Sequence, residues 1–367
     1  MNSINNCLYD IIIVGAGPAG STLARLIDKK YKVMLIDGQT ETNSKPCGGL
    51  LAPDAQKALA ELNLTLPKDV LVDPQIFSVK TIDVDSGIIR FYQRNYINMN
   101  RFAFDKWLLS FIPGNVDIIN GKVTNINKTS GSFDVTVNTN NNKIHFNTKY
   151  IVGADGANSI VRRTFFPNYK AKSYVAIQQY FKIDSSNCFY SCIFDKKTSP
   201  SCSWSMIKDN HLIFGGAFNS KNCREKFETQ KKRLSKFGFD FSKPIKAEAC
   251  RVLRPTISSG FCTGKNGIFL IGEAAGFISP SSLEGISSAI KSAVILSNAI
   301  NSASPNPSTL YKLKITPLKI KLYAKCIKRF FMYNPVTRYI IMRSGIKSIS
   351  LSNGKPQFTY TKCSKNC

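Results

Sequence analysis

The first 37 residues alternate between apolar runs and a glycine-rich turn. Residues 9–14 are largely apolar and rich in β-branched side chains, which is typical of a strand buried on both faces of a parallel sheet. Residues 21–29 place their leucines and isoleucine on one face of a helix, and residues 31–36 form a second apolar run. The pattern predicts a strand, a helix and a second parallel strand that ends at Asp37.

Three glycines mark the turn between the first strand and the helix. The turn includes Gly15, Gly17, Pro18, Ala19 and Gly20. Gly15 permits a tight turn, Gly17 lets a pyrophosphate approach the backbone, and Gly20 lets the helix pack closely on the strand. The helix N-terminus offers N–H donors to that pyrophosphate, and Asp37, 20 residues beyond Gly17, can accept a ribose hydroxyl. A turn with a structural role alone is the alternative.

Two later segments repeat the pattern of a buried strand that ends in small and acidic residues. Residues 151–153 lead into Asp155, and residues 267–271 lead into Glu273. A helix is predicted from about Leu283. The chain therefore contains three strand–turn segments of similar design.

Composition narrows the class of protein. The chain has 367 residues, of which 43% are apolar and 20% charged, and this usage excludes wholesale disorder. No apolar run is long enough to cross a bilayer, and residues 1–10 lack the pattern of a secretory signal. Eleven cysteines occur without a CxxC pair, and the wider pairs Cys188/Cys192 and Cys363/Cys367 lack nearby histidines. We therefore expect no metal site, and reduced thiols in a cytoplasmic protein.

Charge is unevenly distributed along the chain. The formal net charge is +27, and the 83 residues after Glu284 contain 14 lysines and arginines and no acidic residue. A segment of one charge sign predicts an anionic partner, and the lysine-rich codon bias of an AT-rich genome is the alternative explanation. No aromatic–basic pattern of a nucleic-acid-binding fold accompanies the charge, so nucleic acid is not an expected partner.

The basic C-terminal region mixes cations with large apolar residues. Lysines alternate with apolar and aromatic residues over 310–332, and Pro317 divides this stretch into two predicted helical pieces. Phe330 and Phe331 beside Lys328 suit the interface of an anionic bilayer, where each cation contributes at most about 1 kcal/mol. A helical cap with a solvated basic side is the alternative. The expected location is the cytoplasm, with peripheral attachment to the inner face of the membrane under the first interpretation.

The three strand–turn segments together resemble the three FAD motifs of the flavoprotein group that includes para-hydroxybenzoate hydroxylase and the geranylgeranyl reductases. The resemblance implies FAD as the cofactor, with Asp155 and Gly156 shaping its site. It implies that Glu273, where the family usually has Asp, contacts the ribityl and pyrophosphate region. It also implies that a helix starting at Gly285 and Ile286 points its N-terminus at the flavin, where unpaired N–H groups stabilise negative charge.

Two further positions match the same flavoprotein group. Arg101 and Asp105 resemble an Arg-x-x-x-Asp helix start whose arginine reaches the FAD phosphates, and a surface salt bridge between the two is the alternative. Val123 lies where the strand backbone of the group meets the adenine. No second GxGxxG occurs, so the expected electron donor is transiently bound NAD(P)H or a carrier protein.

A loop at residues 44–54 resembles the Pro-Cys-x-Gly loop of the geranylgeranyl reductases. The resemblance places Cys47, Gly48 and Gly49 against the flavin ring. The Cys47 thiol is the candidate catalytic group, able to position an alkene or supply a proton, and a packing role is the alternative. Trp204 resembles the tryptophan that lines the lipid cavity of archaeal members, although its motif neighbours differ, and a core tryptophan is the alternative.

A narrower resemblance covers nearly the whole chain. It is to bacterial flavoproteins of the geranylgeranyl reductase family that are linked to colicin M resistance. It is carried by residues 45–56, 74–81, 190–195, 271–279 and 282–287. Colicin M attacks the polyprenyl-linked precursor of peptidoglycan, so the resemblance implies an isoprenoid or polyprenyl lipid as substrate.

These segments predict an α/β fold like that of para-hydroxybenzoate hydroxylase. A Rossmann-like FAD-binding domain with a parallel sheet and helices is joined to a substrate domain formed by an antiparallel β-sheet. Alternating residues at 174–181 and 211–216 are typical of the strands of that second sheet. The predicted bounds are 1–70, 98–170 and 250–305 for the FAD-binding domain, 71–97 and 171–249 for the substrate domain, and 306–367 for a basic helical C-terminal region.

Three functions are compatible with these predictions. The leading hypothesis is an FAD-dependent oxidoreductase that reduces C=C bonds of an isoprenoid lipid by hydride transfer from N5 of reduced flavin. The alternatives are an FAD-dependent monooxygenase of a hydrophobic or aromatic substrate, and a non-catalytic flavoprotein that sequesters a lipid intermediate. The same fold can host all three functions, so the site residues have to decide between them.

Overall fold

Nearly all strands of the protein belong to two eight-stranded sheets. The computed structural model describes residues 8–38, 45–140, 142–183, 189–352 and 355–356. Cys188, Cys363 and Cys367 lie outside these residues, as do parts of the predicted segments 1–70 and 306–367. In the described ranges the strands are β1 (Leu8–Val14), β2 (Val33–Asp37), β3 (Leu50–Leu51), β4 (Ile76–Asp83), β5 (Ile89–Asn98), β6 (Val116–Asn120), β7 (Lys122–Lys128), β8 (Phe133–Asn138), β9 (Lys143–Gly153), β10 (Lys172–Lys182), β11 (Phe189–Phe194), β12 (Ser203–Lys208), β13 (His211–Phe218), β14 (Pro244–Arg254), β15 (Gly264–Lys265), β16 (Ile268–Leu270), β17 (Leu351–Ser352) and β18 (Lys355–Pro356).

The first sheet has the parallel centre that the apolar runs predict. Its order is β15–β16–β9–β1–β2–β6, and β8 and β7 extend it from β9. The pairs β16–β9, β9–β1, β1–β2 and β2–β6 are parallel. Ile12 of β1 is opposite Met34 of β2 and Ile151 of β9, and all three side chains are fully buried. The strands predicted at 9–14 and 31–36 are confirmed.

The second sheet has the order β14–β10–β13–β12–β11–β4–β5–β3. Strands β10 and β13 confirm the predictions at 174–181 and 211–216. All pairs are antiparallel except β4–β11, which is parallel because the chain between these strands first passes through the first sheet. Strand β3 lies in this sheet although its residues belong to the predicted segment 1–70, and β14 crosses the predicted border at residue 250. The domain bounds themselves stay a prediction.

Helices cover the first sheet and form the C-terminal region. In the described residues they are α1 (Pro18–Leu26), α2 (Pro53–Ala60), α3 (Arg101–Leu109), α4 (Ile160–Phe165), α5 (Cys223–Leu234), α6 (Ile286–Asn301), α7 (Pro307–Lys314), α8 (Thr316–Tyr333) and α9 (Pro335–Ser344). Helix α1 begins at Pro18, before the predicted residue 21, because the fixed φ of proline suits a first helical turn. Helix α6 begins at Ile286 and not at Leu283, whose φ of +59° does not fit a helix.

The C-terminal helices pack on the body of the protein. Pro317 lies in the first turn of α8, so the predicted division of this region is confirmed. The Tyr311 hydroxyl of α7 is buried and donates to the carbonyl oxygen of Leu270 on β16 at 3.0 Å, which joins α7 to the first sheet. Among the described residues, no helix is both long enough and apolar enough to cross a membrane.

Candidate functional site: a cleft between the two sheets

A cleft of about 1140 Å³ lies where the carboxyl ends of β1, β2 and β9 meet the second sheet. The positions predicted to bind cofactor or substrate line this cleft, with the exception of Gly20. They are Gly15, Gly17, Pro18, Ala19, Asp37, Cys47, Gly48, Gly49, Arg101, Val123, Asp155, Gly156, Trp204, Glu273, Gly285 and Ile286. Residues from every predicted motif therefore converge on one place.

The glycine turn between β1 and α1 forms part of the cleft wall. A Cβ at Gly20 would overlap the carbonyl oxygen of Gly15, so glycine is required for the close packing that the sequence predicts. At Gly17 an added Cβ would meet no atom within 4 Å. The space in front of this backbone is therefore open, beside the first N–H groups of α1.

Asp37 and Val123 lie side by side at one edge of the first sheet. Asp37 is the last residue of β2, and its carbonyl oxygen accepts a hydrogen bond from the backbone N–H of Gly121 at 2.9 Å. This bond ties the turn before Val123 to the end of β2. The Asp37 carboxylate is 3.9 Å from the Lys106 ammonium and is almost fully buried.

Asp155, which follows β9, has one unsatisfied oxygen. Its Oδ2 accepts a hydrogen bond from the backbone N–H of Ile160 at 2.6 Å, whereas its buried Oδ1 has no hydrogen-bond partner among the described residues. Burial raises the pKa of this carboxyl group. A buried acceptor without a partner is unfavourable, so its position in the cleft wall suits a ligand that donates a hydrogen bond.

Glu273 is held by the protein at both carboxylate oxygens. Oε1 accepts from the backbone N–H of Leu253 at 2.8 Å, and Oε2 forms an ion pair with Lys45. Burial alone would lower the pKa of Lys45, but the attraction of Glu273 outweighs it and raises that pKa. The ion pair joins the loop that contains Cys47 to the third strand–turn segment.

Arg101 and Asp105 form the ion pair expected as an alternative, but they form it inside the protein. The Nε of Arg101 donates to Oδ1 of Asp105 at 2.8 Å, with 14% and 6% of the two side chains exposed. Burial would lower the pKa of Arg101, but the Asp105 carboxylate and the neighbouring Cys47 raise it. Because a guanidinium has five N–H donors, this pairing leaves others that can bind an anion in the cleft.

Gly49 and Lys208 fix the backbone of the Cys47 loop. Gly49 has a φ of +62°, and a Cβ there would overlap the carbonyl oxygen of Met99. The Lys208 ammonium donates to the carbonyl oxygens of Gly49 at 3.0 Å and Met99 at 2.6 Å, and to Oδ1 of Asn98 at 2.7 Å. Burial lowers the pKa of Lys208 to about 8. The Cys47 sulfur accepts from the backbone N–H of Gly49 at 3.4 Å, which folds the thiol back onto its own loop.

Trp204 and Met206 belong to an apolar wall on the second sheet. A Cβ built on Gly48 would lie 3.2 Å from Cε of Met206 and 3.7 Å from Cδ1 of Trp204, so the Cys47 loop is in contact with this wall. The indole N–H of Trp204 donates to Oε1 of Gln178 at 3.1 Å. Trp204 is thus both packed and presented to the cleft. The other apolar and aromatic members of the wall are Leu50, Tyr96, Ala176 and Tyr190.

Comparison with known proteins decides the family. The chain is 46% identical to Protein CbrA of Escherichia coli over 346 residues, which cover 93% of this chain and 94% of that protein. The chain belongs to the CbrA family. No protein-family model matches it.

Solved structures place the CbrA-family chain in a known fold. A geranylgeranyl bacteriochlorophyll reductase-like protein of Thermoplasma acidophilum superposes with a TM-score of 0.76 at 18% identity, over 91% of this chain and 89% of that one. The p-nitrophenol 4-monooxygenase PnpA of Pseudomonas putida superposes with a TM-score of 0.71 at 14% identity, over 93% of each chain. The fold is therefore the para-hydroxybenzoate hydroxylase-like α/β fold that the sequence predicts.

Several residues of the CbrA-family cleft were not singled out from the sequence. Lys45 and Lys208 are two of them, although both lie in segments that the sequence analysis used. The Tyr96 hydroxyl donates to Oε1 of Glu284 at 3.0 Å, while Oε2 of Glu284 accepts from Ser282 at 2.9 Å. Burial, followed by the Glu284 carboxylate, raises the pKa of Tyr96 well above its usual value, so its hydroxyl stays protonated. Sequence position could have suggested Glu284 alone, since it directly precedes the start of α6.

The N-terminus of α6 completes the CbrA-family cleft. Gly285 caps the helix without a side-chain hydrogen bond, and the first helical residues, Ile286 to Ser288, line the cleft. The N–H groups of this first turn have no partner within the helix and carry the positive end of its dipole. The cleft thus offers anion-binding backbone and Arg101 on one side and an apolar, aromatic wall on the other.

Proposed function

We propose that this chain is an FAD-dependent oxidoreductase that reduces C=C bonds of an isoprenoid or polyprenyl lipid. The observation that carries the proposal is the contact of Gly48 with Trp204 and Met206. Through it, the loop that begins at the dinucleotide-type half of the cleft touches the apolar wall. A cofactor and an apolar substrate bound to these two halves would meet beside Cys47.

The described residues fit FAD. The open space at Gly17 and the N-terminus of α1 suit a pyrophosphate, and Asp37 suits a ribose hydroxyl. The unpaired Oδ1 of Asp155 suits a donor on the ligand. Arg101 and the N-terminus of α6 suit, respectively, the phosphates and the negative charge of a reduced ring.

Reduction of an alkene adds a hydride to one carbon and a proton to its neighbour. When bound, FAD supplies the hydride from its reduced N5. The chain has two candidates for the proton: the Cys47 thiol and the Tyr96 hydroxyl, both of which line the cleft. Trp204, Met206 and Tyr190 would bind the lipid chain and exclude water from the reacting carbons. Reduced NAD(P)H or a carrier protein would provide the electrons from outside the cleft.

Anaerobic single turnover tests the proposal. Photoreduced holoprotein is mixed with a polyprenyl phosphate, a polyprenyl alcohol or a geranylgeranylated glycerolipid, and products are analysed by mass spectrometry. We expect products that carry two more hydrogens per reduced bond, together with reoxidation of the flavin. The absence of product from all three lipid classes would contradict the proposal.

Cysteine variants assign the proton donor in the same assay. If Cys47 is the donor, Cys47→Ala lowers the rate of reduction by about a hundredfold and leaves bound flavin unchanged. Cys223→Ala is the matched control, since Cys223 is partly buried at the start of α5 and does not line the cleft. A loss in Tyr96→Phe with normal activity in Cys47→Ala would assign the proton to Tyr96.

A monooxygenase is the second candidate, because PnpA has the same fold. Turnover with reduced pyridine nucleotide under heavy-isotope oxygen distinguishes the two reactions. Label in an organic product would favour oxygen insertion, and label in peroxide or water alone would not.

A further inference from the structure

Helix α8 has apolar residues on two opposite sides. Leu318 and Leu322 are buried and line the cleft. Ile320 and Ile327 are 63% and 57% exposed, and Phe330 is 70% exposed. At 3.6 residues per turn, the exposed set lies across the helix from the buried set. The helical-cap interpretation therefore explains one side of α8 and leaves the other side without a partner among the described residues.

Helix α9 continues this exposed apolar surface. Val336 and Ile340, one turn apart, are 66% and 59% exposed, while Arg338 and Met342 on the opposite side are buried. We define the outer face as Ile320, Ile327, Phe330, Phe331, Val336 and Ile340. Soluble monomers rarely leave so many large apolar side chains exposed on adjacent elements unless they form a binding surface.

Polar contacts fix the outer face relative to the second sheet. The Tyr333 hydroxyl at the end of α8 accepts from the backbone N–H of Cys202 at 2.9 Å and donates to the carbonyl oxygen of Ser281 at 2.7 Å. The buried Arg338 guanidinium donates to Oδ1 of Asp83 on β4 at 2.9 Å. The two helices are therefore held in one orientation, so that binding to the outer face would orient the whole protein.

The charge around the outer face has one sign. Lys328, Arg343 and Lys347 are exposed next to its apolar residues in sequence, and no acidic residue follows Glu284. Apolar side chains interspersed with exposed cations are the composition of helices that lie in the interface of anionic membranes. An acidic protein would match the charge, but a largely aliphatic and aromatic surface is better matched by lipid.

We propose that the outer face docks on the surface of an anionic lipid bilayer. The helices would lie on the membrane, with Phe330 and Phe331 inserted at the boundary of headgroups and acyl chains and the cations on phosphate groups. The opposite side of α8 lines the cleft, so docking would hold the cleft close to the lipid phase. The inference does not rest on flavin binding or on the proposed reaction.

Vesicle flotation with the full chain tests this inference. Vesicles of phosphatidylcholine with phosphatidylglycerol are compared with vesicles of phosphatidylcholine alone. We expect binding to the anionic vesicles, at least about tenfold weaker binding to the neutral ones, and release as salt is raised. The double variant Ile327→Ser/Phe330→Ser should reduce partitioning to anionic vesicles by about tenfold or more.

The matched control is Phe77→Ser/Ile257→Ser. These two residues are 64% and 65% exposed and lie outside the C-terminal helices. We expect this control to bind vesicles as the unchanged chain does. Equal losses in both double variants, or no binding of the unchanged chain to anionic vesicles, would overturn the proposal.

Two further readouts guard against other causes. In Phe330→Trp, the emission of the added indole should shift to shorter wavelength with anionic vesicles, and an unshifted emission would contradict insertion. Sedimentation of the unchanged chain and of Ile327→Ser/Phe330→Ser without lipid should give the same mass. A dimer that dissociates in the variant would show that the outer face joins two copies of the chain, and would overturn the membrane assignment.

Discussion

Lys45 forms an ion pair with Glu273, although 228 residues separate them in sequence. Lys45 belongs to the loop of Cys47, and Glu273 belongs to the turn that leads to α6. The pair therefore brings together the two segments between which we place the flavin ring. It also explains why a glutamate can serve where the family usually has aspartate, since its longer side chain reaches both Lys45 and the backbone of Leu253.

Removal of the Lys45 cation should destabilise the protein. In Lys45→Met, the nearly buried Glu273 carboxylate keeps the N–H of Leu253 as its hydrogen-bond donor, and we expect a loss of about 1–3 kcal/mol in the free energy of unfolding. The control is Lys246→Met, whose partner Glu248 lies 2.6 Å away but whose ammonium side chain is 60% exposed. Its loss should stay below about 1 kcal/mol in the same urea titration. Equal losses would show that the Lys45 pair is no stronger than a surface pair.

The shape of the Cys47 loop depends on Gly49. Gly49→Ala adds a Cβ at positive φ that also overlaps the carbonyl oxygen of Met99, so we expect a loss of more than about 2 kcal/mol. Gly87→Ala separates the two effects, because Gly87 has a φ of +76° but open space around its Cβ position. It should lose about 1 kcal/mol in chemical denaturation. A Gly49 variant as stable as the Gly87 variant would mean that the contact with Met99 is absent.

Local sequence patterns predicted the elements of this fold and the membership of the site. The strand at 9–14, the glycine turn and the division at Pro317 depend on residues close together in the chain, so periodicity and backbone preferences were sufficient. The Lys45–Glu273 pair and the position of Lys208 under Gly49 depend on segments that meet only after folding. Nothing in the spacing of single residues indicates such pairings, and the parallel β4–β11 pair was missed for the same reason.

Lys208 should make stability depend on pH. Its pKa is about 8 in the folded protein against 10.5 for an ordinary lysine, so the unfolded chain binds more protons between these values and stability rises with pH across this window. Lys208→Met lacks this contribution. The unfolding free energy of the unchanged protein minus that of the variant should therefore increase by roughly 1 kcal/mol per pH unit above pH 8. A difference that is constant over this range would contradict the lowered pKa.

The amount and identity of bound flavin test the central claim most directly, that FAD lies in the cleft between the Cys47 loop and the N-terminus of α6. Acid extraction, absorbance and mass spectrometry are applied to the purified or FAD-reconstituted chain, to Gly17→Asp and to Gly114→Asp. Added side chains at both glycines meet no atom within 4 Å, so both variants should fold, but the Gly17 variant places a carboxylate where the pyrophosphate would lie. We predict one FAD per chain in the unchanged protein and in Gly114→Asp, and none in Gly17→Asp. A colourless protein that takes up no flavin, or equal flavin in all three proteins, would contradict the account.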